Sequence, residues 1–149
     1  MQTHVKSEKC VLDAALGKSE NIRILVALIH LKYKVIEVLA GGGCALVEWR
    51  LETGRTHQIR AHAKYLGVPL LGDDVYGGTK NMALSLLQSR NSPSCHSQLF
   101  QLVSKLERPC LHALTLGFEH PRTGERLRFS QVPPLDFLEI LDQLRHIFN

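Results

Sequence analysis

Two β-rich runs, KYKVIEVL (residues 32–39) and CALVEWRL (residues 44–51), are separated only by AGGG. A link of four residues is too short for a crossover helix, so the two runs must pair antiparallel as a hairpin. Within the second run Ala45, Val47, Trp49 and Leu51 share one face, while Glu48 and Arg50 fall on the other. That alternation predicts one core side and one wet side, with Trp49 in the core and not on a stacking surface. Further on, LHALTLGFEH and RLRFS flank the turn signal PRTG, which predicts a second hairpin. Residues 79–109 hold two helix-like pieces around an Asn-Ser-Pro-Ser break on the surface. Phe137, Ile140, Leu141 and Leu144 mark a C-terminal amphipathic helix. Hairpin-joined strands with helices between them predict an α+β fold, a mixed and mainly antiparallel sheet with flanking helices, in one domain of 149 residues. The first 30 residues offer a short apolar run, a glycine and a polar loop, and carry no functional signal.

After Thr53 and Gly54 the hydrophobic period changes. Ile59, Ala63 and Leu66 recur at helical spacing and Gly67 is a stop signal, which predicts a helix from about Thr56 to Leu66. His57, Arg60 and Lys64 then line one side of it, and Arg55 lies just before. Cations in the first turn of a helix meet unsatisfied N–H groups and the positive end of the dipole, which disfavours each by about 0.3–1 kcal/mol. An anion would offset that cost, either a ligand phosphate or a carboxylate elsewhere in the fold. The segment GVPLLGDDVYGG, residues 67–78, reads as a short buried strand followed by a tight glycine-flanked turn. Adjacent Asp73 and Asp74 in such a turn serve local backbone hydrogen bonding more readily than catalysis or magnesium binding.

Several function classes lack their signatures. The four cysteines, Cys10, Cys44, Cys95 and Cys110, form no Cys-x-x-Cys pair and read as reduced thiols. The eight histidines have no helical ligand spacing, so no metal is expected. There is no Gly-x-Ser-x-Gly elbow, no Walker loop and no Gly-x-Gly-x-x-Gly. No apolar run approaches the ~20 residues of a membrane span, and no secretory signal follows Met1, so a soluble intracellular protein is expected, its compartment open. The 18 Lys and Arg against 14 Asp and Glu give a net charge of +4, compatible with a nucleic-acid partner without demanding one.

The remaining motifs, RLETGRTHQIRAH followed by GVPLLGDDVYGG and later LHALTLGFEHPRTGE, closely resemble the RluA-type family of RNA pseudouridine synthases. The resemblance runs in the family's order from Tyr33 to about Phe137, and VLDAALG (residues 11–17) resembles the family's short strand before that region. It implies uridine isomerisation within RNA: an aspartate takes part in breaking the glycosidic bond, the uracil turns over, and it is rejoined through carbon. No cofactor is implied. Arg60 matches the final arginine of the family's Thr-Gly-Arg-x-His-Gln-Ile-Arg motif, which pairs with the catalytic aspartate. Arg55, His57 and Lys64 become candidate contacts to the substrate's phosphates. The partner implied is RNA, whether ribosomal, transfer or another structured RNA, with neither DNA nor a membrane expected.

The family's catalytic aspartate lies in a His-Arg-Leu-Asp-x-x-Thr-Ser-Gly motif that has no counterpart in these 149 residues, nor has the family's active-site tyrosine. Asp13, in CVLD, occupies the place of the strand after the catalytic segment and is not promoted to that role. The expectation is therefore the C-terminal portion of a synthase catalytic domain, a fragment or short isoform inactive by itself, whose catalytic aspartate lies upstream. The alternative is a non-catalytic RNA-binding module of the same fold.

Overall fold

The structure is a computed structural model that describes residues 4–12, 31–51 and 55–147. Its centre is an antiparallel sheet of five strands, β1 (His4–Leu12), β2 (Leu31–Leu39), β3 (Cys44–Leu51), β4 (Leu111–Glu119) and β5 (Arg126–Ser130), in the order β2-β3-β1-β4-β5. The helices are α1 (Gln58–Tyr65), α2 (Lys80–Ser89), α3 (His96–Ser104) and α4 (Leu135–His146). The α+β expectation holds, and every pairing among the described strands is antiparallel.

Both hairpins form where the turn chemistry places them. β2 and β3 pair from Leu39↔Cys44 to Leu31↔Leu51, with positive φ at Ala40, Gly41 and Gly42 in the turn. β4 and β5 pair from Glu119↔Arg126 to Thr115↔Ser130, their turn closed by His120 N–H donating to Glu125 O at 2.8 Å. The Thr79 hydroxyl caps α2 by accepting from Met82 N–H at 3.3 Å, and a 3₁₀ turn at Pro93–Cys95 separates α2 from α3.

Three expectations need correction. Strand β1 was not recognised in the sequence, yet it lies between β3 and β4 at the middle of the sheet. Its segment, HVKSEKCVL, mixes Lys, Glu and Ser into both faces and so lacks a clean alternation of polar and apolar residues. Of VLDAALG, only Val11 and Leu12 lie in this strand; Asp13 and the rest fall outside the described residues.

The second correction concerns β3, whose expected wet side is buried except at Arg50. Ala45, Val47, Trp49 and Leu51 pack with Ile59, Ala63, Val68 and Leu70 on one face. On the other face Cys44 and Leu46 join Leu87, Leu99, Leu102, Phe137, Leu141 and Leu144 from α2, α3 and α4. Glu48 shares that second face and is buried, its carboxylate accepting from Arg50 Nε at 3.0 Å. Helices on both faces of a sheet remove the solvent that the alternation was expected to meet.

Third, the helix predicted from about Thr56 to Leu66 is the shorter Gln58–Tyr65. It ends as expected, with Gly67 at φ +76° and Val68 N–H donating back to Ala63 O at 2.9 Å. Cys44 and Cys95 are free thiols. No helix among the described residues is long and apolar enough to cross a membrane.

Candidate functional site

Burial of Ile59 and Ala63 against Trp49 turns α1 so that its N-terminal end meets the 70–78 turn. The chain enters the helix through a reciprocal contact, with Arg55 N–H donating to Gln58 Oε1 and Gln58 N–H to Arg55 O, both at 3.1 Å. This satisfies one donor that a helix start leaves open and explains why Gln58 is buried. His57 follows at φ +52°, a left-handed conformation that costs a non-glycine residue on the order of 1–3 kcal/mol and persists only where its surroundings hold it. His57, expected in the first helical turn, thus precedes the helix together with Arg55, and Arg60 lies within it.

The 70–78 turn is closed by its backbone. Asp73 N–H donates to Leu70 O at 3.1 Å, Gly78 N–H to Asp73 O at 2.8 Å and Gly72 N–H to Gly78 O at 3.0 Å. A Cβ on Gly78 would stand 1.7 Å from Leu70 O, so only glycine lets the two ends of the turn approach this closely. Asp73 is thereby fixed with its side chain fully buried, while Asp74 faces solvent.

Across this junction Arg60 and Asp73 form a two-pronged ion pair, Nε to Oδ2 at 2.8 Å and Nη2 to Oδ1 at 2.7 Å. Tyr76 N–H donates to the same Oδ1 at 3.1 Å. Burial by itself would push the Asp73 carboxyl up, but the Arg60 hydrogen bonds and the backbone N–H groups of Tyr76 and Val75 outweigh it and hold the group below the usual aspartate range. The same bonds raise Arg60. The anion that offsets a cation at the start of α1 is therefore, in this chain, Asp73. The sequence pointed correctly to backbone hydrogen bonding by Asp73 and missed its ion pair, because the partners are 13 residues apart in different elements and no local period connects them.

Tyr76 and His57 complete the cluster. The Tyr76 ring lies against the guanidinium, 4.9 Å from centroid to Cζ, within cation–π range. His57 stands edge-on to Tyr76, with Nδ1 3.2 Å from the Tyr76 hydroxyl and Nε2 3.4 Å from Arg60 Nη1. A guanidinium only donates, so Nε2 is the acceptor; a neutral His57 then carries its proton on Nδ1 and donates it to the Tyr76 oxygen. Tyr76, like Asp73, was not among the candidate residues of the sequence reading.

His57 and Arg60 are thus brought together, whereas Arg55 and Lys64 are not. Both are exposed, and neither forms an ion pair among the described residues. With its Nε–Nη2 edge engaged by Asp73 and Nη1 beside His57 Nε2 at the exposed side, the Arg60 side chain is 17% exposed. The cluster can present a fixed positive group to an anion. Among the described residues no three His, Cys, Asp or Glu side chains gather as a metal site.

No family model matches the chain. It is 68% identical over 114 residues to "RNA pseudouridine synthase 2, chloroplastic" of Arabidopsis thaliana, an alignment covering 76% of this chain and 26% of the relative. Against "Ribosomal large subunit pseudouridine synthase D" of Vibrio parahaemolyticus, identity is 36% over 140 residues, 90% of this chain and 40% of the relative. The chain thus spans about a quarter to two fifths of the length of these curated relatives. Among solved structures it is similar in fold to "Human RNA Pseudouridylate Synthase Domain Containing 1", with a TM-score of 0.53 at 19% identity, covering 89% of this chain and 55% of that one.

Proposed function

The chain belongs to the RluA-type RNA pseudouridine synthase family, matching part of the length of its relatives, and from that premise we propose that it serves in the isomerisation of uridine to pseudouridine in RNA. In this reading residues 1–149 are the C-terminal portion of the catalytic domain and supply the arginine side of the active site. The single observation that carries it is Arg60, clamped at the start of α1 with Nη1 left near the surface. A second carboxylate, that of the catalytic aspartate in a His-Arg-Leu-Asp segment, would accept from that remaining edge. Arg55 and Lys64, exposed on either side of Arg60 in the sequence, meet RNA phosphates, and His57 borders the same site. Ribosomal RNA is the first substrate class to assay, because the name of the Vibrio relative refers to the large ribosomal subunit, with transfer RNA next.

Tritium release from uridine-labelled RNA tests the reading. The 149 residues alone release none, whereas a polypeptide carrying both these residues and the aspartate-bearing segment does. Release by the 149 residues alone would return Asp13, Asp73 and Asp74 to consideration as the catalytic carboxylate. No release by the larger polypeptide, together with salt-sensitive RNA binding, would favour a non-catalytic RNA-binding module. If Arg55 and Lys64 contact phosphates, log–log affinity for single-stranded RNA falls with salt by a slope of roughly 0.7 per phosphate neutralised, and Arg55→Ala or Lys64→Ala each reduces that slope by about one contact.

A further inference from the structure

We infer that Asp73 and Tyr76 are positioning residues for Arg60, holding its guanidinium in one orientation with the Nη1 edge outward. The inference deepens the proposed role of Arg60 and rests on that reading for its functional meaning, though not for its test. An arginine near the surface ordinarily samples many rotamers, and an anion that binds it must bear the cost of ordering it. Here that ordering precedes any ligand. Asp73, itself fully buried, takes Nε and Nη2 in the planar fork geometry that a carboxylate and a guanidinium share. The carboxylate has no freedom to follow a wandering arginine, because Tyr76 N–H holds Oδ1 and the backbone bonds of the 70–78 turn hold its main chain.

Tyr76 acts twice, through its N–H on Asp73 and through its ring against the guanidinium. The ring is in turn oriented by His57, whose left-handed backbone places the imidazole edge-on to it. Two residues of one turn thus fix the guanidinium in plane and in tilt, and the Nη1 hydrogen not directed at His57 Nε2 is left to a ligand. A mobile arginine would offer the same charge without the direction.

Nitrogen-15 NMR of the Arg60 side chain in the 149-residue protein tests this without requiring turnover. The expected wild-type signature is a slowly exchanging Nε–H and slow guanidinium rotation. Asp73→Asn, which keeps the shape and removes the charge, speeds that rotation by about tenfold or more, as expected for weakening charge-assisted hydrogen bonds. Tyr76→Leu speeds it roughly threefold through loss of the ring contact, and Tyr76→Phe restores the wild-type rate because the ring and the N–H remain. Lowering the pH through the depressed Asp73 titration speeds it in the wild type, an effect absent from Asp73→Asn. Rotation unchanged in Tyr76→Leu, or already fast in the wild type, overturns the inference. Should Asp73→Asn fail to fold, the tyrosine pair and the pH series still decide. Failure of the synthase reading shows separately, in the tritium assay.

Discussion

Two arginines of this molecule hold an aspartate in almost the same fork, and their surroundings give the forks different weight. Arg60 meets Asp73 at 2.8 and 2.7 Å; Arg108 meets Asp136 at 2.8 Å through both Nε and Nη2. The first pair has side chains 17% and 0% exposed, the second 43% and 52%. Both carboxyls sit below the usual aspartate range, but for opposite balances. Around Asp73 burial is the largest influence and is overcome by hydrogen bonds, whereas for Asp136 the Arg108 hydrogen bond leads and burial opposes it only secondarily. Asp136 also stands in the first turn of α4, where the helix dipole favours a negative charge. The exposed pair ties one surface segment to another. The buried pair instead sets the direction of a cation at the candidate site, so geometry alone does not rank two such contacts.

The sharpest way to break this contrast is Asp73→Ala. Removing one partner of a buried pair leaves an unpaired charge and should lower unfolding stability by about 3–5 kcal/mol in a urea titration. A loss within 1 kcal/mol would show that solvent already reaches Arg60 and that the two forks are equivalent. Gly78→Ala comes next, at roughly 1–3 kcal/mol, because the added Cβ must push Leu70 O away and open the turn that carries Asp73. The two substitutions share that turn, so their costs should fall short of additive in the double variant.

Acid provides a third, smaller separation. The folded pKa of Asp73 is lowered, so its contribution is complete at neutral pH and is lost as the pH falls below about 4, the unfolded value, and through the folded one. Asp136 carries the same sign. Acid unfolding of the wild type and Asp136→Ala should therefore run nearly parallel between pH 5 and 2, while Asp73→Ala should show the shallower pH dependence. The smallest effect belongs to Asp136→Ala at neutral pH, about 0.2–1 kcal/mol, shrinking further in added salt. A loss as large as that of Asp73→Ala would end the comparison.

Much of the architecture was legible because it is local. AGGG and PRTG place the two hairpins, Gly67 stops α1, and the apolar spacing of Phe137, Leu141 and Leu144 marks α4. Strand β1 was not legible, since a strand flanked on both sides draws its stability from β3 and β4 more than from its own pattern. Glu48 shows the converse failure: a charge in an alternating strand signals solvent, and here the tertiary structure buries it. At the site the cation pattern was readable and posed the right question. Its answer, Asp73, lay in a different element.

The order of residues by itself therefore determined the hairpins, the helix stops, the cationic character of the stretch before and into α1, and the resemblance that these motifs carry, because each depends on neighbours within a few positions. Tertiary structure decided which sheet faces are dry, which of the four cations is clamped and which carboxylate clamps it. Those outcomes depend on distances between segments that no local period encodes: packing α1 against Trp49 brings Arg60 within hydrogen-bond reach of a carboxylate held by the closed 70–78 turn, and leaves Arg55 and Lys64 in solvent.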